Sequence, residues 1–577
     1  MSWLFGVIGN TVRQNSLHRF ESVHGEHLYR KSSDGVHYFA CGGNLQTCAF
    51  EDNSDASSFW VGLGLVVRRG DHQAVLNDRR DWERLVRDRS IAEHHNGHFV
   101  LLSHENGRTE LRTDPIGLRT LYWCHHGEEI VISTKLHWIC EYIGGGEIDH
   151  RRIGARWTLF NQLNFESPVK GIRRLGPGGT LVIENGSVTE RMVPFTPAEY
   201  SNSGTVEEAS SLLASFTSPV SNAHGIISLG LSGGLDSRTL LALMVSQQNT
   251  AFQTHSFGTL LDPDVFVPRD LTEKEHIPHR VLQASGTASP VTLRMLQSYC
   301  AETNLAELVS TAVKLDHLNL MDIKNTLMVD GAFGEIARRQ YLNRVEFMGE
   351  SPFRDGNVER IAVALTVRRG DFFTEEVRRQ MKDGAQEEIA WMLASMPKIQ
   401  EIGFENYLDL WSIRARLPNY SSDEQARLDG IITNYMPFVQ YDFAQKVFTL
   451  PLHLRRNAKL FRTIIRTYAP GLTRYPLVKS GTTYPFSFNK KSSLIYAKIK
   501  SALGYRYTEN HLDPFLSGLK NDIMDLILSQ QVKEHPSYDH QRIRTSVESY
   551  YRGDISQRNN VLWWLTYELW RRSIERK

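Results

Sequence analysis

The sequence has little cysteine, no long apolar run and almost no net charge, and each shortage excludes a class of protein. The five cysteines among 577 residues form no CxxC pair, so we expect reduced thiols and a cytoplasmic protein rather than a disulfide framework. No window reaches ~18 uninterrupted apolar residues, and the first ten residues lack a basic region followed by an apolar run. We therefore expect no membrane span and no signal peptide. Lysine plus arginine number 66 against 65 aspartates and glutamates, a balance that does not favour nucleic-acid binding.

The length predicts more than one domain, because a single hydrophobic core rarely serves a chain of 577 residues. Up to about residue 195, short runs of β-branched and aromatic residues separated by turns predict a mainly β region. The polar stretch 196–204 is typical of a linker. Beyond it, a strand at 226–231, a helix and a strand at 250–257 predict a βαβ unit and hence a parallel sheet, followed by a mostly helical region.

The segment LGLSGGLDSR, residues 229–238, lies between the first strand and the helix of that unit. Ligands of open α/β sheets bind at this edge, where the strands end. The glycines let the backbone approach a ligand closely, and the unpaired N–H groups of the helix start attract an anion. No lysine follows the glycines, which excludes the Walker A type of phosphate loop.

Three interpretations of this segment remain. The residues from Gly230 to Gly234 match GxSxG, which would make Ser232 the nucleophile of a serine hydrolase, although Asp236 would then have no role and no partner histidine can be identified. A tight turn that binds no ligand is the second interpretation. The third is the SGGxDS loop of ATP pyrophosphatases, the PP-loop, in which backbone N–H groups and serines hold the departing diphosphate and the aspartate binds Mg²⁺.

Further segments, in the same order along the chain, resemble motifs of asparagine synthetase and its relatives. They are MSWLFGV at the start, NGHF at 96–99, RTDPIGLRTLY at 112–122 and HSF at 255–257. The resemblance implies an α/β protein whose residues 1–195 form a class II glutamine amidotransferase-like αββα sandwich of the N-terminal-nucleophile (Ntn) type. Residues 205–577 would form a PP-loop ATP pyrophosphatase domain with a parallel sheet and a helical extension.

The resemblance implies an ATP-dependent, AMP-forming amide-bond ligase. A small-molecule or peptide carboxylate would attack ATP, an acyl-adenylate would form, pyrophosphate would leave, and an amine or ammonia would attack the acyl carbon. Lys479 would steady the tetrahedral intermediate, and Mg²⁺ would be held by Asp236 and by Glu335, which stands where the family has an aspartate. The resemblance leaves a homodimer open. The residues implied for ATP binding are Leu231, Ser232, Gly233, Gly234, Asp236, Ser237, Thr259, Asp330 and Gly331.

Two departures from the family pattern bear on the substrates. Ser2 stands where the family has its nucleophilic cysteine, and the segment that supplies oxyanion donors is not recognisable, so we expect no glutamine hydrolysis. β-Lactam synthetase and lasso-peptide cyclases share this loss and use an amine on the substrate. Thr433 and Tyr435 replace a glutamate and an arginine of the family, which argues against an aspartate-shaped acceptor pocket.

The alternative to a ligase is a catalytically lapsed ATP-binding or scaffold protein of the same fold, which the changes at Glu335, Thr433 and Tyr435 favour. The arginine pairs 338–339 and 455–456 are interpreted as solvated helix faces, with the steering of anionic ligands as the alternative.

Overall fold

A computed structural model of the chain contains two antiparallel sheets, one parallel sheet, a hairpin and many helices. The part of the chain that the structure describes comprises residues 2–9, 17, 20–21, 24, 27–33, 37–53, 58–70, 72–88, 94–221, 224–247, 251–283, 291–339, 343–479, 481–504, 507 and 512–575.

The two antiparallel sheets contain only strands from residues 3–191. The first has the order β11 (Ile172–Leu175), β9 (Leu121–His126), β10 (Glu129–Ser133), β1 (Trp3–Ile8), β3 (His37–Gly42) and β2 (Tyr29–Ser33). The second has the order β13 (Ser187–Arg191), β12 (Thr180–Glu184), β8 (Arg108–Thr113), β7 (Asn96–Glu105), β5 (Ser58–Arg68) and β4 (Cys48–Asn53), with β6 (Val75–Leu76) beside β5.

The parallel sheet has the order β16 (His279–Leu282), β15 (Gln253–Phe257), β14 (Ile226–Gly230), β17 (Thr326–Val329) and β18 (Thr433–Tyr435), and every neighbouring pair is parallel. Strands β19 (Leu477–Lys479) and β20 (Thr482–Tyr484) form a separate antiparallel hairpin. The parallel sheet predicted from the βαβ pattern is confirmed.

Helices fill the connections and most of the region after residue 290. Their bounds are α1 (Arg79–Arg87), α2 (Leu136–Ile143), α3 (His150–Thr158), α4 (Val206–Thr217), α5 (Leu235–Ser246), α6 (Pro263–Lys274), α7 (Leu293–Thr303), α8 (Glu335–Arg338), α9 (Asn343–Glu346), α10 (Ser351–Arg354), α11 (Val358–Leu365), α12 (Glu375–Ser395), α13 (Ile399–Ile402), α14 (Phe404–Arg416), α15 (Ser422–Leu428), α16 (Tyr441–Thr449), α17 (Leu452–Arg455), α18 (Lys459–Tyr468), α19 (Lys490–Ala502), α20 (Leu512–Gly518), α21 (Lys520–Leu528), α22 (Gln530–Lys533), α23 (His540–Tyr551) and α24 (Arg558–Ile574). Within the described ranges, no helix is both long and apolar enough to cross a membrane.

The antiparallel sheets stack face to face between helices. Alternate residues of β5 face opposite ways, as strand geometry requires. Val61 and Leu63 lie in the apolar core between the two sheets, whereas Trp60 packs in a second cluster with Trp82 of α1. Helix α2 packs on the outer face of the first sheet, so the layers run helix, sheet, sheet, helix, in the order expected of the sandwich.

The beginning and the end of the chain share one hydrophobic core. Phe5 of β1 belongs to the same buried cluster as Trp564 and Trp570 of α24. Helices α3 and α12 approach so closely that a Cβ atom on Gly154 or on Gly384 would overlap backbone of the other helix. The N-terminal sandwich is therefore packed directly onto helices of the region after residue 290.

Candidate functional site

A cavity of ≈590 Å³ opens at the edge of the parallel sheet where its strands end. Strand β14 ends at Gly230 and helix α5 begins at Leu235, so the segment 231–234 forms the turn between them. Because the carboxyl ends of parallel strands meet at one edge, residues that follow β15 and β17 reach the same cavity. They include Phe257 at the end of β15 and Asp330 directly after β17.

Most of the residues predicted to bind ATP line this one cavity, although they come from separate parts of the sequence. Lys479, the predicted catalytic residue, lines it from the hairpin. The predicted residues that line the cavity are Leu231, Ser232, Gly234, Asp236, Ser237, Asp330, Gly331 and Lys479.

Gly233, Thr259 and Glu335 are not among the residues that line the cavity. Gly233 faces the hairpin, and a Cβ atom at this position would overlap the side chain of Val478, so only glycine fits. Its N–H donates to Asp264 Oδ1 at 3.0 Å. The Thr259 hydroxyl lies 3.0 Å from the hydroxyl of Tyr507.

Serine hydroxyls organise the turn from inside. Ser237 Oγ accepts a hydrogen bond from the Ser232 N–H at 3.1 Å and lies 3.2 Å from Ser232 Oγ, which accepts from the Gly234 N–H at 3.2 Å. In this arrangement Ser232 Oγ contacts a serine rather than a histidine. The geometry therefore does not form the serine–histidine pair that a serine hydrolase needs.

Asp236, in the first turn of α5, forms a two-point ion pair with Arg338. Arg338 Nε and Nη2 each donate to one oxygen of the Asp236 carboxylate at 2.6 Å. The Asp236 carboxylate lies against Gly334, where a Cβ atom would be 2.5 Å from Asp236 Cγ. Arg338 also lines the cavity, so a guanidinium lies beside the predicted metal ligand.

Glu335, the other predicted metal ligand, is held by Arg416, whose Nε donates to Glu335 Oε1 at 2.8 Å. The Glu335 charge still contributes to raising the pKa of Asp236, after the larger effect of burial. Among the described residues, no group of three or more histidine, cysteine, aspartate or glutamate side chains is placed to hold a metal ion. The structure thus brings one of the two predicted ligands to the cavity and keeps the other in a separate ion pair.

Sequence reasoning missed Arg238, which fixes the hairpin relative to the turn. Its buried guanidinium donates to the carbonyl oxygens of Tyr475 at 2.9 Å and Pro476 at 2.7 Å, and to Gly233 O at 3.4 Å. The Val478 N–H also donates to Gly233 O at 2.9 Å. These contacts place Lys479 opposite the turn. One signal in the sequence could have pointed to Arg238, because this residue directly follows the SGGLDS segment.

His255 is a second residue of the cavity without a predicted role. Its Nδ1 lies 2.8 Å from Ser228 Oγ, and its Nε2 is buried without a hydrogen-bond partner among the described residues. Desolvation by burial lowers the pKa of His255 to about 3, with smaller contributions from His279 and Arg280. The imidazole is therefore neutral at physiological pH and has one ring nitrogen available beside the cavity.

The interpretation of the two arginine pairs as solvated faces is wrong for three of the four residues. Arg338 is half-buried and pairs with Asp236, and Arg339 Nε donates to Asp409 Oδ1 at 2.9 Å. Arg455 is fully buried and donates to Asp409 Oδ2 at 2.7 Å. Only Arg456 is half exposed. The error arose because the acidic partners are distant in sequence and carry no local signal.

The region around Ser2 has little free space. Ser2 is buried, its hydroxyl contacts Thr47 Oγ1, and it donates to Asn44 O at 3.3 Å. The adjoining cavity measures ≈20 Å³ and is bordered by the Lys135–Glu302 ion pair. A cavity of this size holds about one water molecule. It does not accommodate a glutamine side chain as it stands.

Thr433 and Tyr435 are both buried in β18 and are not among the residues that line the large cavity. The Thr433 hydroxyl lies 2.9 Å from His224 Nε2, and the Tyr435 hydroxyl has no hydrogen-bond partner in the part of the chain that the structure describes. Neither residue provides the charged pair that the family has at these positions.

Comparison with known proteins gives distant structural neighbours alone. No protein-family profile matches the chain, and no curated protein matches it. The chain is similar to a solved structure of glutamine phosphoribosylpyrophosphate amidotransferase from B. subtilis complexed with ADP and GMP, with 12% identity over 58% of this chain and 77% of that chain and a TM-score of 0.23. It is also similar to a structure described as the allosteric regulatory enzyme of purine biosynthesis, with 12% identity over 67% and 91% of the two chains and a TM-score of 0.23. Likeness at this level leaves the function to be argued from the site.

Proposed function

We propose that the protein is an ATP-dependent, AMP-forming amide-bond ligase of the asparagine synthetase type, with its nucleotide site in the cavity at the end of the parallel sheet. One observation carries the proposal. Eight residues selected from the sequence as parts of such a site line one cavity at the edge where α/β sheets bind ligands: Leu231, Ser232, Gly234, Asp236, Ser237, Asp330, Gly331 and Lys479.

The chemistry of the cavity wall supports a nucleotide. Leu231, Phe257 and Met328 provide apolar surface for a base. The start of α5 and the side chains of Arg338 and Lys479 provide positive charge for phosphates. The volume of ≈590 Å³ lies within the range of ordinary small-molecule sites.

The oxygen ligands in the cavity suit Mg²⁺. A carboxylate has about four lone-pair positions, so Asp236 keeps acceptor capacity beside Arg338, and Asp264 and Asp330 line the same cavity. When bound with ATP, the ion would neutralise charge on the phosphates. Asp236 would hold it, whereas a role for Glu335 requires that it leave Arg416.

The protein's own residues would act by positioning and by charge. The turn and the start of α5 would bind the two phosphates that leave together, and Lys479 would stabilise the negative charge that develops on the acyl oxygen when the amine adds to the acyl carbon. The acceptor is a carboxylate of a small molecule or peptide. The attacking nitrogen is that of ammonia or of an amine on the substrate, because the space beside Ser2 does not accommodate glutamine.

The test is release of pyrophosphate and AMP from ATP with panels of carboxylates and amines. A ligase releases both in equal amounts, and Lys479→Ala should lower kcat at least about a hundredfold with little change in nucleotide affinity. Asp236→Ala should weaken binding of ATP in Mg²⁺ by at least about tenfold. The matched control is Asp522→Ala, which removes an exposed aspartate from the first turn of α21.

A second candidate is an ATP-binding scaffold without turnover. The ion pairs Asp236–Arg338 and Glu335–Arg416 favour it, because both predicted metal ligands already have a cationic partner. A scaffold would bind ATP, lose that binding in Asp236→Ala, and release no pyrophosphate with any acceptor.

A further inference from the structure

His255, in β15, presents a buried ring nitrogen to the cavity. The residue is 1% exposed, and its Nε2 atom has no hydrogen-bond partner among the described residues. Gly230, the last residue of β14, lines the same cavity. A Cβ atom on Gly230 would be 3.6 Å from His255 Nε2, so glycine leaves open the space that this nitrogen faces. A buried polar atom without a partner costs free energy, and a ligand in this space would supply the partner.

The contact of the other ring nitrogen shows which nitrogen carries the proton. His255 Nδ1 lies 2.8 Å from Ser228 Oγ, and within the described ranges the buried Ser228 hydroxyl has no other hydrogen-bond partner. The hydroxyl therefore donates to Nδ1, because the opposite arrangement would leave its hydrogen without an acceptor. Burial lowers the pKa of His255 to about 3, so the ring is neutral at physiological pH. Nε2 is then an N–H donor directed at the cavity.

The cavity has a charged end and an apolar end, on opposite faces of the sheet. Successive residues of a strand face opposite sides. Leu229 belongs to the core that contains α5, so Ser228 and its partner His255 lie on the other face, where Met328 packs in a separate cluster. The ring of Phe257 lies 4.9 Å from that of His255. Phosphates bound at the start of α5 would leave the base to this apolar end.

We propose that His255 selects the purine base of the nucleotide by donating from Nε2 to an unprotonated ring nitrogen of the base. This inference rests on the proposed function. Adenine presents such acceptors at N1, N3 and N7, and one of them would occupy the open space beside Gly230. A base without that acceptor would leave a buried N–H group unpaired, and a site built for a hydrogen bond discriminates against such a ligand. His255 would determine specificity and take no part in the chemical steps.

The experiment titrates the purified full-length protein in Mg²⁺ with ATP and with its 1-deaza, 3-deaza and 7-deaza analogues, each of which has C–H in place of one ring nitrogen. We expect at least one analogue to bind roughly tenfold to a hundredfold more weakly than ATP. Equal affinity for all four nucleotides would overturn the inference and leave the proposed function intact. Absence of binding by ATP itself would overturn both.

The variant His255→Phe removes the donor and keeps a ring. It should bind ATP and the weakly bound analogue with equal affinity, whereas discrimination that persisted in this variant would contradict the inference. The matched control is His279→Phe, which should discriminate as the natural protein does. His279 lies on the adjacent strand, its Nδ1 lies 2.8 Å from the Thr254 hydroxyl, and it is not among the residues that line the cavity.

The variant Gly230→Ala decides the matter if His255→Phe does not fold. Its methyl group would meet His255 Nε2 and Val329 O only at ordinary van der Waals distances, so the fold should be kept. The same methyl group would occupy the space beside Nε2 and separate the donor from the base. We therefore expect Gly230→Ala to lose the discrimination between ATP and the analogue, and full discrimination in this variant would contradict the inference.

Discussion

At the scale of single residues, the two predicted metal ligands differ in where they lie and in which arginine each of them pairs with. Asp236 lines the cavity and shares its carboxylate with Arg338, whereas Glu335 lies outside the lining with Arg416. The SGGLDS segment was sufficient to predict that Asp236 lies just after the turn at the edge of the sheet, because the residues of this segment are adjacent in sequence. The partners could not be predicted, since Arg338 and Asp236 are separated by 102 positions and nothing in the local pattern of either residue indicates the other.

A substitution at Glu335 tests whether this residue binds the metal ion or only pairs with Arg416. Glu335→Gln keeps the shape and removes the charge, and Glu335 does not line the cavity. We therefore expect the Kd for ATP in Mg²⁺ to change less than about threefold, against at least about tenfold for Asp236→Asn. Calorimetric titration measures both. An effect of Glu335→Gln as large as that of Asp236→Asn would establish Glu335 as a metal ligand.

At the scale of helices and strands, the sequence pattern predicted the βαβ unit that carries the turn. The strands predicted at 226–231 and 250–257 are β14 and β15, each within a few residues of its bounds, and the helix predicted between them is α5. The sequence did not indicate which elements contact one another in the folded protein. Arg238 joins the turn before α5 to the hairpin that carries Lys479 by donating to backbone carbonyl groups. Because every residue has such a group, the residue types give no signal for this contact.

The crossing of α3 and α12 is a second contact of this kind and can be tested. A Cβ atom at Gly384 would overlap Arg151 O, so Gly384→Ala should force the helices apart. Alanine gains about 1 kcal/mol of helix propensity over glycine, but overpacking costs about 1–3 kcal/mol. We expect a net decrease in the free energy of unfolding, measured by urea titration. The control is Gly518→Ala, where a Cβ atom meets nothing within 4 Å. A more stable Gly384→Ala protein would mean that the helices can move apart without loss.

At the scale of the whole molecule, neutral buried histidines connect folding to pH. Desolvation by burial lowers the pKa of His255 to about 3. The same cause lowers the pKa to about 4 in a further set: His104, His137, His150, His224 and His279. Carboxyl groups act in the opposite sense, because burial raises the pKa of Asp114 to about 6 and of Glu388 to about 7 and also raises the pKa of Asp236, Asp330 and Asp409.

Acid should therefore destabilise the protein. Above pH 6.5 these histidines are neutral in both states, and between pH 6.5 and 4 the unfolded chain binds protons that the folded chain does not. Stability then falls by up to about 1.4 kcal/mol per pH unit for each fully buried histidine. The carboxyl groups whose pKa is raised bind protons in the folded state and offset part of this loss. Urea midpoints at pH 7.5, 6 and 5 should fall in that order, and a midpoint that rose towards pH 5 would contradict the argument.

The core shared by the first strand and the last helix has a consequence for biosynthesis. Gly146 N–H donates to Ile574 O, and Trp3 and Phe5 belong to the cluster completed by Trp564 and Trp570. A chain emerging from the ribosome makes its first sheet long before α24 exists. The part of this core that faces α24, which includes the side of α2, stays exposed to water until residues 558–574 leave the exit tunnel. We therefore expect the nascent protein to need a holding chaperone, and a truncation that removes α24 to leave this apolar surface uncovered.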